Sequence, residues 1–548
     1  MADNARRWNG WGLAGESVPV PTAACEWLTS RIGTGDPLSA VDESAVVVTP
    51  ARTLTALPAA SMSDAATRLR FACGQSFPDL LALRTGRIEA FPDAVCFPEN
   101  ADEVVRLLRA ATDHGLAVIP RGGGTSVVGG VTVAPDAKPI VVLSLERLHG
   151  LETLDAASRL AIFRAGTLGP EVEASLAPHG LRLGHEPQSF EFSTVSGWVA
   201  SRSAGQRSTG IGKIEDLVAG VEVATPSGLW RLPPQPASAA GPELRRLVAG
   251  SEGRLGVITA ATLRVRELPE VEDGQVVLLP SWSAGSEVCR ALLQSGNRVE
   301  VLRLSDPTET SFATTLVPLS RMQAIVSQML FGFPRYRHGC LLLLGWAGAA
   351  QDVVLARHAA ARVWREHEGL SLGESGWRRW RADRFRHPYL RDALLTRGWG
   401  VDTLETAAQW SRLGGVWNAV PTAMRAAAEA MGFRTAVMCH LSHAYPDGAS
   451  LYFTFLWPLR AGSEFSQWNT LKRAATTALL AAGGTLSHHH GVGTMHAHYL
   501  ESEVGKQGTA VLSAIVRALD PGATLNPRVL LDRGTINRSE PTLDGGDR

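Results

Sequence analysis

The sequence lacks a long apolar run and an excess of charge of either sign. A membrane-spanning helix needs about 20 consecutive apolar residues, whereas the most apolar stretch, Cys340 to Ala347, has the length of a buried strand. Lysine plus arginine number 53 and aspartate plus glutamate also number 53, so no global charge attracts nucleic acid or an anionic membrane. We therefore expect no membrane-spanning helix and no nucleic-acid partner.

Cysteine is scarce and scattered. None of the six cysteines belongs to a C-x-x-C pair, which argues against a zinc ribbon or a disulfide scaffold and is typical of a reducing compartment. The segment Met1 to Gly15 has charged residues but no apolar core of a signal peptide, and neither end carries a clear peroxisomal signal. We therefore expect a cytoplasmic protein.

The chain is long enough for about two to four domains of an ordinary globular enzyme. Apolar spacing predicts a helix over Ala101–Asp113 followed by a strand over Leu116–Pro120, which completes a βαβ unit. The proline and acidic residues of Pro269–Asp273 indicate a boundary. The predicted regions are an N-terminal helical and loop region (1–89), a region of alternating strands and helices (90–268), a second region of helices and strands (269–457) and a C-terminal segment (458–548).

Three consecutive histidines form the most unusual motif. His488, His489 and His490 cannot share one face of a helix or strand, because neighbouring side chains point in different directions. Imidazole takes up and returns protons near neutral pH, and Gly491 and Gly493 allow the backbone to approach a ligand closely. The motif therefore predicts a functional site.

A metal centre is the alternative interpretation of these histidines. Imidazoles ligate zinc, and four further histidines lie within reach along the sequence. No cysteine or carboxylate completes a standard zinc pattern, so we expect no metal. The further histidines are His440, His443, His496 and His498.

A glycine-rich segment, Arg121 to Ser126, follows the predicted strand that ends at Pro120. Successive glycines let backbone N–H groups converge on an anion such as a pyrophosphate, although a plain turn is the alternative. The segment has no lysine, which excludes a Walker loop, and the β-branched residues of Val127–Val133 do not open a helix as a Rossmann fingerprint does.

With two later segments, Gln188–Gly205 and Gly250–Thr259, this loop resembles the FAD-binding oxidoreductases of the vanillyl-alcohol oxidase type, or PCMH fold. The resemblance implies an α+β fold, with a PCMH-type two-subdomain FAD-binding domain and an α+β cap domain. It also implies FAD, held without a covalent bond because no His or Cys lies between Arg121 and Val133. The residues expected at FAD are Pro120, Arg121, Gly122, Gly123, Gly124, Thr125, Ser126, Gln188, Ser189, Phe190, Glu191, Phe192, Ser193, Thr194, Ser201, Arg202, Ser203, Ala204, Glu252, Gly253, Arg254, Leu255, Gly256, Val257 and Ile258.

Within that fold, the chain is similar to the alkyldihydroxyacetonephosphate synthase family. The resemblance implies a redox-neutral exchange of the acyl chain of acyl-dihydroxyacetone phosphate for a fatty alcohol in ether-lipid synthesis. We expect a lipid substrate, a homodimer and at most peripheral contact with a membrane. The similar segments are Arg7–Gly12, Gly184–Val195, Tyr389–Asp392, Ala449–Phe453, the three histidines, Leu519–Pro521 and Leu525–Pro527.

The resemblance also assigns roles to individual residues. Tyr452 matches the family's catalytic tyrosine, Arg303 an arginine important for activity, and Arg391 an arginine placed at the substrate. His488, His489 and His490 match essential histidines. A tyrosine serves as a base only when its pKa falls well below about 10. We expect the surrounding histidines and arginines to supply the positive charge that lowers it.

The alternative function is an FAD-dependent D-2-hydroxyacid dehydrogenase or oxidase, acting on lactate, glycolate or 2-hydroxyglutarate. Such relatives share the FAD motifs but have Glu-His-Gly where this chain has His-His-His-Gly. Two departures from the synthase pattern are the segment Gly493–Tyr499, which lacks lysine and arginine, and Arg254, which replaces a small hydroxyl residue.

Overall fold

The computed structural model describes residues 6–317, 329 and 331–531, so the outer ends of the predicted regions 1–89 and 458–548 lie outside the described residues. The described strands are β1 Ser61–Met62, β2 Ala94–Cys96, β3 Ala117–Arg121, β4 Ile140–Ser144, β5 Leu151–Asp155, β6 Leu160–Arg164, β7 Leu181–Arg182, β8 Val218–Thr225, β9 Gly228–Leu232, β10 Val257–Arg264, β11 Arg266–Glu267, β12 Val271–Leu279, β13 Val301–Ser305, β14 Cys340–Gly348, β15 Leu370–Gly373, β16 Trp399–Gln409, β17 Ala436–Ala444 and β18 Gly448–Pro458.

Helices and strands alternate through most of this length, which makes the fold α+β as predicted. The described α-helices are Thr22–Ile32, Ala65–Arg70, Phe77–Thr85, Ala101–Asp113, Gly169–Leu176, Val195–Ser201, Ser208–Ile211, Ile214–Leu217, Leu244–Val248, Trp282–Gln294, Pro307–Leu316, Ala350–Glu366, Ser375–Asp383, Tyr389–Thr396, Trp410–Ala430, Glu464–Ala481 and Leu500–Leu519, the last interrupted at Gly505. The 3-10 helices are Glu43–Ala45, Ala177–His179, Pro334–Tyr336 and Ala497–Tyr499.

The first sheet has the order β1-β2-β4-β3, with β2, β4 and β3 parallel. The predicted helix Ala101–Asp113 joins β2 to β3, which confirms the βαβ unit. Asn100 caps this helix by accepting a hydrogen bond from the backbone N–H of Glu103 (2.9 Å). Leu107 and Leu108 are fully buried on the apolar side of the helix. The unit delivers the chain into the glycine-rich loop after β3.

The second sheet is antiparallel, with the order β5-β6-β10-β8-β9. Its core includes Phe163, Val223 and Ala261, each almost fully buried. The helix Val195–Ser201 packs against β10 and begins at Thr194, whose hydroxyl caps it. The segment that leads into this helix therefore lies at the junction of the first two sheets.

The third sheet is antiparallel, with seven strands in the order β15-β12-β14-β13-β17-β18-β16. Side chains alternate between its two faces. One face, which includes Phe453 and Leu441, is buried beneath helices Trp410–Ala430 and Glu464–Ala481. The opposite face carries polar side chains, among them Glu405, His440 and Tyr452.

Ion pairs join the third sheet to residues that lie between β6 and β8 of the second sheet. Arg207 lies 3.1 Å from both Glu272 and Glu300, and Arg182 lies 2.7 Å from Glu272 and 3.3 Å from Glu300. These four side chains are at most 12% exposed. Because a buried charge is costly unless it is paired, the network fixes how the two parts dock.

The C-terminal segment returns to the first sheet. Asp520 accepts hydrogen bonds from the backbone N–H groups of Thr524 and Leu525, which orders the turn before Asn526. No helix in the described ranges is long and apolar enough to cross a bilayer. The region boundaries at 89, 268 and 457 stay predictions.

Candidate active site

The glycine-rich loop lies so close to a second loop that only glycine fits. A Cβ on Gly123 would lie 1.8 Å from the Phe192 carbonyl oxygen, and one on Gly122 would lie 2.2 Å from Thr194 Oγ1. Gly124 has a φ of +68°, which favours glycine. Within the described residues, the N–H groups of these three glycines donate to no protein acceptor. They are therefore available to an anion such as a pyrophosphate.

Side chains around this loop hold its shape. The guanidinium of Arg121 donates to the carbonyl of Cys73 (2.8 Å) and lies over the ring of Phe71. Ser126 Oγ accepts from the N–H of Gly130 (3.0 Å). Both side chains are thus engaged with the protein, which leaves the backbone of the loop to contact a ligand.

The second predicted segment, which includes Phe192 and Thr194, packs against the glycine-rich loop. Ser193 Oγ accepts from the indole N–H of Trp198 (2.7 Å), and Ser203 Oγ lies 3.1 Å from His185 Nε2. Arg202 adopts a left-handed conformation with a φ of +54°, and its half-exposed side chain pairs with Glu215. The segment therefore joins the loop through its backbone, while several of its side chains bond within the protein.

The third predicted segment meets the other two. A Cβ on Gly253 would lie 3.1 Å from Pro120, and the Asn526 amide donates to the carbonyls of Gly130 (3.0 Å) and Glu252 (2.9 Å). Arg254 is fully buried and lies 3.8 Å from Asp520, so its charge serves the C-terminal turn. Leu255, Val257 and Ile258 enter the cores of the molecule.

Tyr452 lies on the polar face of the third sheet, as the alternation of Leu451–Phe455 predicts. Its hydroxyl donates to Thr403 Oγ1 (3.1 Å), and its ring stacks on His440, with centroids 4.9 Å apart. Burial raises the pKa of Tyr452 to about 12, which outweighs the opposing effect of Arg303. The expectation that positive charge lowers this pKa is therefore wrong, because the ring is removed from water.

The three histidines lie in a loop above this face. Glu405, which pairs with Tyr452 across β16 and β18, accepts from the backbone N–H groups of His488 (2.6 Å), His489 (3.0 Å) and His490 (2.8 Å). Burial opposes the charge of Glu405, but the imidazoles, whenever they carry a proton, and these N–H groups hold its pKa well below the usual range. Glu405 thus stays ionised beneath the loop.

The imidazoles contact one another and their neighbours. His488 Nε2 lies 2.7 Å from the hydroxyl of Tyr445, and His488 Nδ1 lies 2.9 Å from His489 Nδ1. His443 stacks on His488, with centroids 5.4 Å apart. Burial lowers the pKa of His488 and His489 well below the usual value, and lowers that of His490. At neutral pH these rings are uncharged and can accept a proton.

Arg303 belongs to a charged cluster at one end of the polar face. It donates to Glu309 (2.6 Å) and lies 3.1 Å from His440 Nδ1, which also lies 3.1 Å from the other oxygen of Glu309. Burial works against ionisation, but His440 and Arg303 lower the pKa of Glu309 to about 2. The cluster therefore places the ion pair of Arg303 and Glu309 next to His440, whose ring stacks on Tyr452.

Arg391 approaches the same face from helix Tyr389–Thr396. It donates to the carbonyl (2.8 Å) and the side-chain oxygen (2.6 Å) of Gln75. Within the described residues, its buried Nε has no hydrogen-bond partner. A buried guanidinium N–H without an acceptor is suited to an anionic ligand.

The sequence interpretation considered His440 and His443 only as possible metal ligands, and it missed Glu405, Tyr445 and Lys213. Alternation in β17 places His440 on the face of Tyr452, and this signal was available once the hairpin partner was known. His443 has a φ of +46° at a bulge in the same strand, which no sequence pattern indicated. Glu405, Tyr445 and Lys213, which donates to the His488 carbonyl (2.6 Å), carried no motif.

The hydrogen bonds of Glu405 bear on the interpretation of the histidines as a metal site. Glu405, His488 and His489 offer ligand atoms within 4.8 Å of one another. Glu405, however, already accepts from the hydroxyl of Ser487 (2.8 Å) and from three backbone N–H groups. A carboxylate with these donors has little capacity left for a cation. The expectation of no metal stays a prediction.

Comparisons with known proteins agree with this arrangement. The FAD binding domain family matches residues 92–232, and the C-terminal domain of FAD linked oxidases matches residues 268–530. An alkyldihydroxyacetonephosphate synthase from Dictyostelium discoideum is 29% identical over 497 residues, which cover 89% of this chain and 81% of that protein. A solved alkyldihydroxyacetonephosphate synthase superposes with a TM-score of 0.83 at 25% identity, covering 95% of this chain and 98% of that one.

The fold is also that of p-cresol methylhydroxylase, which superposes with a TM-score of 0.65 at 14% identity over 86% of this chain and 94% of that one. The glycine cradle, formed by Gly122–Gly124, fits the FAD that both matching domains imply, since its N–H groups have no acceptor among the described residues. The chain therefore belongs to the FAD-linked oxidases of the PCMH-type FAD-binding fold, in which it is similar to the alkyldihydroxyacetonephosphate synthases.

Proposed function

We propose that this protein is an FAD-dependent alkyldihydroxyacetonephosphate synthase, which exchanges the acyl chain of acyl-dihydroxyacetone phosphate for a fatty alcohol in ether-lipid synthesis. The observation that carries the proposal is the polar face of the third sheet. Tyr452, the three histidines and Arg303 meet there, and the chain just after the histidines bonds to Val128, which follows the glycine-rich loop. Similarity to synthases over most of the chain supports the same activity.

The cofactor would be held without a covalent bond by the backbone of Gly122–Gly124, the segments Gln188–Thr194 and Ser201–Ala204, and the turn at Gly253. When bound, FAD supplies an electron-accepting ring to the carbon at which the exchange takes place. The side chains of Arg121, Arg202 and Arg254 are paired with protein groups, so we assign them to the support of these segments.

Arg391 and Arg303 would bind the phosphate-bearing substrate. Arg391 has a buried Nε without a partner among the described residues, and its two other nitrogens are fixed by Gln75. Arg303 is fixed by Glu309. A guanidinium held in place loses little freedom when it binds an anion, which favours a tight contact.

Tyr452 and the histidine loop would handle the substrate proton. The phenol keeps its own proton at neutral pH, since burial raises its pKa to about 12. The uncharged imidazoles of His489 and His490 lie against its ring, with centroids 6.1 and 5.4 Å away. We therefore assign proton acceptance to the imidazoles, with Tyr452 as a hydrogen-bond donor to the reacting oxygen atoms.

The decisive experiment is an exchange assay without an electron acceptor. Purified protein with its FAD is incubated anaerobically with palmitoyl-dihydroxyacetone phosphate and labelled hexadecanol. We expect label in alkyl-dihydroxyacetone phosphate and an equal amount of free palmitate. Absence of exchange, together with bleaching of the flavin by D-lactate, glycolate or D-2-hydroxyglutarate, would instead establish a hydroxyacid dehydrogenase.

We also propose a cytoplasmic homodimer that contacts membranes only peripherally. All six cysteines are free thiols, as in a reducing compartment. Sedimentation of the FAD-bound protein, with and without vesicles of neutral phospholipid, tests the subunit number and the membrane contact.

A further inference from the structure

We propose that Glu405 and Glu252 are positioning residues that hold the histidine loop, residues 487–493, between the third sheet and the turn at Gly250–Gly253. This inference rests on the proposed function for its catalytic meaning. The clamp itself consists of hydrogen bonds between two carboxylates and the backbone of one loop. Neither residue is assigned a contact with the reacting atoms.

Glu405 holds the first half of the loop. Its Oε1 accepts from the N–H groups of His489 (3.0 Å) and His490 (2.8 Å) and from Ser487 Oγ (2.8 Å), while Oε2 accepts from the N–H of His488 (2.6 Å). The side chain is 1% exposed. Three successive N–H groups can converge on one carboxylate only if the loop curls around it, so Glu405 sets the curvature that spreads the three imidazoles.

Glu252 holds the second half from the opposite side. Its two oxygens accept from the N–H groups of Val492 (2.7 Å) and Gly493 (2.8 Å). A Cβ on Gly491 would lie 3.0 Å from this carboxyl, and Gly493 would meet the Val128 carbonyl at 2.0 Å, so both glycines are required for the approach. The sequence pattern places Glu252 at FAD, but its carboxyl is turned to the loop.

The two anchors come from different parts of the fold. Glu405 is on β16 of the third sheet, whereas Glu252 follows Gly250 in the turn that the Asn526 amide ties to Gly130. The loop therefore spans the active site, with one end on each wall. Its imidazoles can face Tyr452 and the cofactor together only while both carboxylates hold it.

Hydrogen exchange tests the clamp independently of activity. In the FAD-bound protein, Glu405→Gln replaces one acceptor oxygen with an NH2 group, so the peptide that contains residues 487–493 should take up at least one more deuteron at early times, from the three N–H groups that Glu405 holds. Glu252→Gln should do the same for about one of the two N–H groups that Glu252 holds. The matched control is Asp93→Asn, since Asp93 is a buried acceptor for the N–H groups of Arg52 and Ile140 far from the loop. This control should leave the peptide unchanged.

Kinetics then separates positioning from simple loss of stability. Per molecule of bound FAD, Glu405→Gln should lower kcat about 100-fold, since a small displacement of catalytic groups costs that much, and leave KM within about threefold. Unchanged hydrogen exchange in the loop peptide of both Glu405→Gln and Glu252→Gln would overturn the inference. Faster hydrogen exchange in Glu405→Gln with an undiminished kcat would also overturn it.

A second variant guards against misfolding. If Glu405→Gln does not fold, Ser487→Ala removes both its bond to Glu405 and the bond from the Gly491 N–H to its hydroxyl (3.1 Å). It should loosen the same peptide, and protection equal to wild type would count against the clamp. If the wild-type protein does not replace the acyl chain with a fatty alcohol, the proposed function fails. The hydrogen-exchange data still decide whether the clamp exists.

Discussion

The ring of Tyr452 stacks on the ring of His440, with the planes 18° apart, because the two residues face each other across β17 and β18. His440 in turn lies within hydrogen-bond distance of Arg303 and Glu309. The phenol therefore lies between this charged cluster on one side and the histidine loop on the other. This arrangement gives the polar face an ion pair at one end and the three imidazoles at the other.

Tyr452→Phe should keep FAD and lose turnover, because the substitution removes only the hydroxyl. We expect kcat of the exchange reaction to fall by about 100-fold or more, the usual contribution of a positioned proton donor or acceptor. Tyr336→Phe is the matched control, since the Tyr336 hydroxyl bonds to the Glu368 carbonyl at the surface. Full activity of Tyr452→Phe would refute the assigned role.

Gly123→Ala should abolish FAD binding, because the added methyl group would overlap the Phe192 carbonyl. The bound FAD per chain, measured from the absorbance of the flavin, is expected to drop by about tenfold or more, since the backbone there must move. Gly414→Ala lies in helix Trp410–Ala430, where no atom of the described residues lies within 4 Å of the new Cβ. That control should retain FAD, and equal FAD content in both variants would contradict the cradle.

Arg207→Ala should destabilise the fold, since it leaves the buried carboxylates of Glu272 and Glu300 with less compensation. We expect the free energy of unfolding to fall by about 3 kcal/mol, measured by urea denaturation. Arg246→Ala removes ion pairs of half-exposed side chains, for which a loss below about 1 kcal/mol is expected. Equal losses of unfolding free energy in the two variants would show that the buried ion pairs of Arg207 do not hold the third sheet against the second.

Acidification should destabilise the protein below about pH 6.5 through its buried histidines. Burial lowers the pKa of His185 to about 3 and that of His387 to about 4. Because the unfolded chain binds protons first as the pH falls through 6.5, the stability present above that pH is lost on the way down. His185→Asn should make the dependence of the unfolding free energy on pH shallower, whereas exposed His358→Asn should not. An unchanged slope in His185→Asn would contradict this.

Local pattern predicted what depends on neighbouring residues. Apolar spacing predicted the bounds of helix Ala101–Asp113, which are confirmed. The alternation of Leu451–Phe455 likewise accounts for Tyr452 and Thr454 sharing one face of β18. The bond between Glu405 and His488 spans 83 residues, so no local spacing could indicate it. It requires the register of β16 against β18, which the packing of the whole sheet determines.

The pKa of Tyr452 shows the same limit. The sequence indicated the cations around it, and Arg303 is indeed near. The sequence did not indicate how fully the ring would be buried, and burial has the larger effect on the pKa. For this reason we propose the imidazoles, and not Tyr452, as proton acceptors.

The most direct test of the proposed exchange is its stoichiometry. Palmitate released and labelled hexadecanol incorporated are measured together under anaerobic conditions, while the flavin absorbance is followed. We predict one palmitate released per alkyl chain incorporated, with no electron acceptor and with oxidised flavin recovered at the end. Incorporation only in the presence of an acceptor, or reduced flavin that persists after D-2-hydroxyacid is added, would contradict the assignment.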